Sequence, residues 1–133
     1  MNTAQTNDWT LVGQMVSLSC SNAKINQLSG LDKLIHLVDV DLSNNLITKT
    51  DAFADLTQLN TLNLSNNIIG KINGLDAQTE LTSLDLSGNT NALCDDISSL
   101  EAAYGTTVVS APQSCFTAVA IEDMTFTDSR MKG

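Results

Sequence analysis

The chain has 133 residues, 42% of them apolar but only 4% aromatic, and a net charge of −9 from 15 acids against 6 bases. That is the size of one domain with a modest, aliphatic core. The sparse, scattered bases exclude phosphate-backbone binding and adsorption to anionic membranes, and no apolar run nears the roughly 18 residues a membrane span requires. The first residues show no basic stretch leading into an apolar run, so no signal peptide is read there. Acidity of this size serves solubility.

Residues 1–14 read as part of an N-terminal cap, with Trp9, Leu11 and Val12 covering the open end of a repeat array. Residues 15–94 repeat one unit every 22 residues: MVSLSCSNAKI from Met15, LVDVDLSNNLI from Leu37, LNTLNLSNNII from Leu59 and LTSLDLSGNTN from Leu81. Counting from those residues, apolar side chains recur at positions 1, 4, 6, 11, 14, 17 and 20. Position 4 holds Leu18, Val40, Leu62 and Leu84, and position 6 holds Cys20, Leu42, Leu64 and Leu86. Positions 4 and 6 leave the same face of a short strand. One unit cannot bury that face alone, but stacked units share a core. The later apolar spacing of three suits 3₁₀ or irregular turns, and a unit this short has no room for a long helix.

Position 9 holds Ala23, Asn45, Asn67 and Asn89. Here the chain turns off the strand and leaves backbone groups without ladder partners. A buried amide supplies both donors and an acceptor, so Asn45, Asn67 and Asn89 are read as a structural ladder. Asn44 and Asn66 beside them are expected to face solvent, and substitution there to be nearly silent. Thr50 and Gln78 interrupt apolar columns, and Asn91 replaces the isoleucine of the last unit. Residues 95–115 read as a C-terminal cap: a helix with Asp95 as N-cap, Ile97, Leu100, Ala103 and Tyr104 on one face and Gly105 as its stop, then a strand in TTVVS ended by Pro112.

The pattern LxxLxLxxNxI is identified as the leucine-rich repeat. It implies an α/β solenoid of four right-handed 22-residue coils, with a parallel concave sheet, short convex 3₁₀ or irregular turns and a helical C-terminal cap. The unit resembles the short SDS22-like class shared by internalin-like bacterial surface proteins. The ending LSGNTNALCDDISSLEAAYGTTVVSAPQSC is similar to the C-terminal cap of such extracellular modules, and WTLVGQMVSLSCSNAKINQLSGLDKL to their first coil. Three cysteines cannot all pair. All three stay reduced in a cytosolic protein, or Cys94 and Cys115 form a bridge that staples the cap. The resemblance favours the bridge and leaves Cys20 buried in a leucine column.

In such modules a segment like FTDSRMKG enters the N-terminal cap, yet here it closes the chain. Residues 116–133 therefore read as a tail or the start of a following module, and the chain as one piece of a tandem array. Such a tail, with Met124 and Phe126 apolar, implies head-to-tail self-association onto the open first coil of another copy.

Nothing in the sequence assembles a catalytic centre. His36 is the single histidine and sits at a non-core position, Cys20 is a buried thiol, and no nucleophile, metal-protease or phosphate-loop motif occurs. DVDLSN mimics the start of a calcium loop but lacks its turn glycine and distal acid, so no metal or other cofactor is implied. The sheet face is left. Its columns run Ser17, Asp39, Thr61, Ser83, then Ser19, Asp41, Asn63, Asp85, then Ser21, Ser43, Ser65, Ser87. Asp39, Asp41, Thr61, Asn63, Ser83 and Asp85 are the candidate contacts for a protein partner or neighbouring module. The resemblance implies non-enzymatic binding or scaffolding at a bacterial cell surface or outside the cell. The alternative is an SDS22-type cytoplasmic regulatory subunit that binds an enzyme.

Overall fold

In the computed structural model the described residues are 14–117. The expected N-terminal cap, Gln14 excepted, and the tail residues Met124 and Phe126 lie outside them. Within this span the chain winds through β1 (Ser17–Ser19), a 3₁₀ turn (Leu31–Lys33), β2 (Asp39–Asp41), a second 3₁₀ turn (Asp51–Phe53), β3 (Thr61–Asn63), β4 (Ser83–Asp85), α1 (Cys94–Tyr104) and β5 (Val109–Ser110). The five strands form one open sheet in sequence order. All pairs are parallel, and β1 to β4 align at the repeat spacing, Leu18 against Val40, Val40 against Leu62 and Leu62 against Leu84. β5 adds Val109 beside Leu84, so the cap supplies a fifth rung to the sheet.

The apolar columns stack into one core that runs the length of the solenoid. Leu37, Leu42, Leu56, Leu59, Leu64, Ile69, Leu84, Leu86 and Phe53 have no exposed surface. Burying each such side chain contributes about 1.5–3 kcal/mol. Opposite the sheet the chain returns through short turns, tied at Lys49–Lys71 and at Leu93–Phe116 by single parallel bridges.

Two interruptions of the apolar columns are buried with partners in neighbouring coils. Thr50 is 0% exposed. Its Oγ1 donates to the Asn73 carbonyl at 2.6 Å and accepts the Asn73 N–H at 2.9 Å. Gln78, also 0% exposed, donates from Nε2 to the Phe53 carbonyl at 2.6 Å, while its Oε1 has no partner among the described residues. In the last coil Asn91 faces solvent and Ala92 takes the buried place.

Asp95 is not the helix cap. α1 begins two residues earlier than that cap implies, at Cys94, with Leu93 at the cap position and no side-chain cap bond. The start is fixed from outside: Cys94 N–H donates to the Phe116 carbonyl at 2.9 Å, and Phe116 N–H to the Ala92 carbonyl at 2.7 Å. Cys94 and Cys115 are joined by a disulfide at the same point. Asp95 and Asp96 fall in the first turn, where a carboxylate suits the helix dipole. Asp96 Oδ2 also accepts the Ile72 N–H at 3.0 Å. Ile97 and Leu100 are buried and Tyr104 packs against the core, but Ala103 is exposed. Cys20 is buried and free.

Candidate functional site

The register of the sheet sets its solvent face. Ser17, Asp39, Thr61 and Ser83 fall side by side, and so do Ser19, Asp41, Asn63 and Asp85. These eight line one shallow groove of ≈ 230 Å³. Asp39 and Ser83 are exposed, while Asp41, Thr61, Asn63 and Asp85 are half-buried. There is no Lys, Arg or His in its lining.

The acids are not idle side chains. Asp41 Oδ1 accepts the Ser43 N–H at 3.0 Å and the Ser43 hydroxyl at 2.7 Å. Asn63 does the same for Ser65 at 3.0 and 2.7 Å, and Asp85 for Ser87 at 3.0 and 2.6 Å. Position 5 therefore closes the turn that leads off β2, β3 and β4. Asp39 Oδ1 accepts the Thr61 hydroxyl at 2.6 Å. Each carboxylate thus keeps one oxygen that none of these bonds uses. Charge reversal at Asp41 and Asp85 would break the Ser43 and Ser87 turns, so it is not neutral to folding as a reading of an open polar face suggests. The third column is corrected as well: Ser43 and Ser65 are buried, and their hydroxyls are spent on position 5.

Below the sheet, the amides of Asn45, Asn67 and Asn89 are buried. Each Oδ1 accepts a backbone N–H of the preceding coil: Ile25 at 2.9 Å, Ile47 at 3.0 Å and Ile69 at 3.1 Å. Each Nδ2 donates to position 6 of its own coil and of the coil before, so Leu42 and Leu64 carbonyls are each shared by two amides. Asn45 also takes the Ala23 N–H at 3.0 Å, which serves the first coil, where the column lacks its amide.

Sequence reasoning missed the role of the outer partner of each asparagine pair. Asn22, Asn44, Asn66 and Gly88 are all left-handed, with φ of 56°, 59°, 58° and 81°. Asparagine and glycine tolerate that region and branched or bulky residues do not. A side chain at Gly88 would also run into Asn66. The signal was present in the sequence: the column reads Asn, Asn, Asn, Gly, the residues that adopt positive φ.

His36 is exposed, 3.4 Å from Gln58. Among the described residues no cluster of His, Cys, Asp or Glu is arranged to hold a metal ion, and no helix is long and apolar enough to cross a membrane.

Open parallel strands at a 22-residue rise, short outer turns and an amide column define a leucine-rich-repeat solenoid, a protein-interaction fold. The model of the family described as leucine-rich repeats (2 copies) matches residues 36–77. Among solved structures the chain is similar to an internalin from Listeria monocytogenes, with 30% sequence identity and a TM-score of 0.71. That match covers 80% of this chain, which spans 31% of the internalin's length. Among curated proteins there is no match to the chain. The chain is a leucine-rich-repeat protein resembling internalin-like bacterial modules.

Proposed function

We propose that the chain is a non-enzymatic recognition module of a bacterial surface or secreted leucine-rich-repeat protein, and that its sheet groove binds a cationic segment of a protein partner. The observation that carries this reading is the groove itself: Asp39, Asp41 and Asp85 face it with no base in its lining. Electrostatic complementarity of this kind steers association more than it strengthens it. The groove also lacks the Trp, Tyr and Arg anchors that dominate tight interfaces, so affinity is modest and rises with multivalency. An extracellular setting is supported by the Cys94–Cys115 bridge, since disulfides persist in oxidising compartments. That bridge favours this reading over a cytoplasmic regulatory subunit.

The test uses Asp41→Asn with Asp85→Asn. Asparagine already fills this position in the third coil, where Asn63 holds Ser65. The double variant therefore removes charge and keeps the turns. With an oligolysine peptide as probe at low salt, the wild-type chain is expected to show shifts in the amides of β1 to β4, and the variant to bind at least about tenfold more weakly, ~1.4 kcal/mol. Equal affinity removes the groove as the site. Self-association through Met124 and Phe126 is a separate proposal. Light scattering of the chain and of a version ending after Thr117, which keeps the Phe116 bonds to Cys94 and Ala92, decides it, a monomeric full chain at high concentration being the refuting result.

A further inference from the structure

Asn73 is the only asparagine in the chain that precedes a glycine. It is exposed, in the turn that follows the Lys49–Lys71 bridge. Gly74 has φ of 77°, and a Cβ there would stand 3.0 Å from the Ala54 Cβ. The glycine amide is therefore unscreened by a side chain of its own, and its N–H makes no backbone hydrogen bond among the described residues. The carbonyl of that same peptide unit, Asn73 C=O, accepts the buried Thr50 hydroxyl at 2.6 Å. A donor held on an amide oxygen draws charge from the amide nitrogen and stabilises the anion formed when its proton leaves. It acts as a preorganised donor does on any developing oxyanion.

We propose that Asn73–Gly74 is a self-modification site, an asparagine that deamidates within the folded solenoid with Thr50 as its positioning residue. A base takes the Gly74 N–H proton and the nitrogen attacks Asn73 Cγ, forming the C–N bond of a succinimide as the side-chain nitrogen departs as ammonia. Water then opens the ring at either carbonyl, leaving aspartate or isoaspartate. The net reaction consumes one water and releases one ammonia. Both products place a new carboxylate in the cleft shared with Asp76 and Asp96, beside the Asp96–Ile72 contact that seats α1. The isoaspartyl form also reroutes the main chain through Cγ. The carbonyl that satisfies Thr50, a hydroxyl with no access to water, then becomes part of a free α-carboxylate set beside that hydroxyl.

The experiment holds the full chain at mildly alkaline pH and physiological temperature. Its peptides are followed by mass, with isoaspartate read by an isoaspartyl methyltransferase. Asn73 is expected to be the first asparagine modified, and faster in the folded chain than in the same chain in urea. Thr50→Val slows the reaction roughly tenfold, less than the ~10²–10³-fold that one lost oxyanion donor costs in an enzyme, while Thr50→Ser retains the rate. A purely structural Thr50 gives the opposite sign, because loosening the turn speeds ring closure. A folded rate at or below the rate in urea overturns the proposal without any variant, and so does a Thr50→Val chain modified as fast as the wild type or faster.

Discussion

Asn67→Leu removes an amide at nearly constant volume, and the structure sets what is lost. Asn67 Oδ1 accepts the Ile47 N–H at 3.0 Å, and Nδ2 donates to the Leu42 and Leu64 carbonyls at 3.0 Å each. Those carbonyls keep a second donor, from Asn45 and Asn89 respectively. The Ile47 N–H has no other partner among the described residues. The substitution therefore leaves one buried donor orphaned, which costs about 1–3 kcal/mol, and breaks donor contacts worth about 1 kcal/mol each. The new leucine lies among backbone carbonyls, so its extra carbon surface offsets little, and the expected loss is about 2–4 kcal/mol. Urea unfolding at unchanged slope measures it. Asn66→Leu is the matched comparison. Asn66 is exposed but has φ of 58°, so a leucine there costs about 1 kcal/mol of left-handed strain, which corrects the expectation of a silent change. Asn66→Gly is close to neutral, as Gly88 already stands at that place in the next coil. A loss below about 0.5 kcal/mol for Asn67→Leu, or equal losses for leucine at 66 and 67, refutes the reasoning.

Gln78→Leu is expected to leave stability unchanged or to raise it by about 1 kcal/mol, because it removes the orphaned Oε1 while the Phe53 carbonyl keeps the Leu56 N–H at 3.0 Å; a thermal melt that falls contradicts this. Replacing Cys94 and Cys115 by serine should lower stability by about 3 kcal/mol, given the 21-residue separation they close. Hydrogen exchange at Cys94 and Phe116 should rise first, and unchanged protection there would count against the staple. Tyr104 has its pKa raised from 10.0 by burial, with the Gln78 backbone opposing and Asp76 adding to the rise. A raised folded pKa means the folded chain holds the proton longer. Stability is then level below the unfolded value and falls as pH climbs through the folded one. Tyr104→Phe should abolish that alkaline fall, and a fall that persists assigns it to another group.

The repeat length and the identity of the apolar columns were legible in the sequence. A stack of identical coils requires only that the same side chains recur at the same spacing, and Leu18, Val40, Leu62 and Leu84 do so. The location of the sheet face and the place of the amide column within each unit follow from that spacing alone. What the groove residues hold did not. Asp41 reads as a free acid until the turn brings the Ser43 N–H and hydroxyl onto the same oxygen. Thr50 and Gln78 read as faults in apolar columns. Their partners, Asn73 and Phe53, are more than 20 residues away in sequence and adjacent only across one coil boundary. The start of α1 departs from its local signal for the same reason, because Phe116 sets it from beyond the helix. Periodicity records which residues share an environment. Hydrogen-bond partners depend on which backbone groups the stacked coils bring within about 3 Å of one another, and only the tertiary structure decides that.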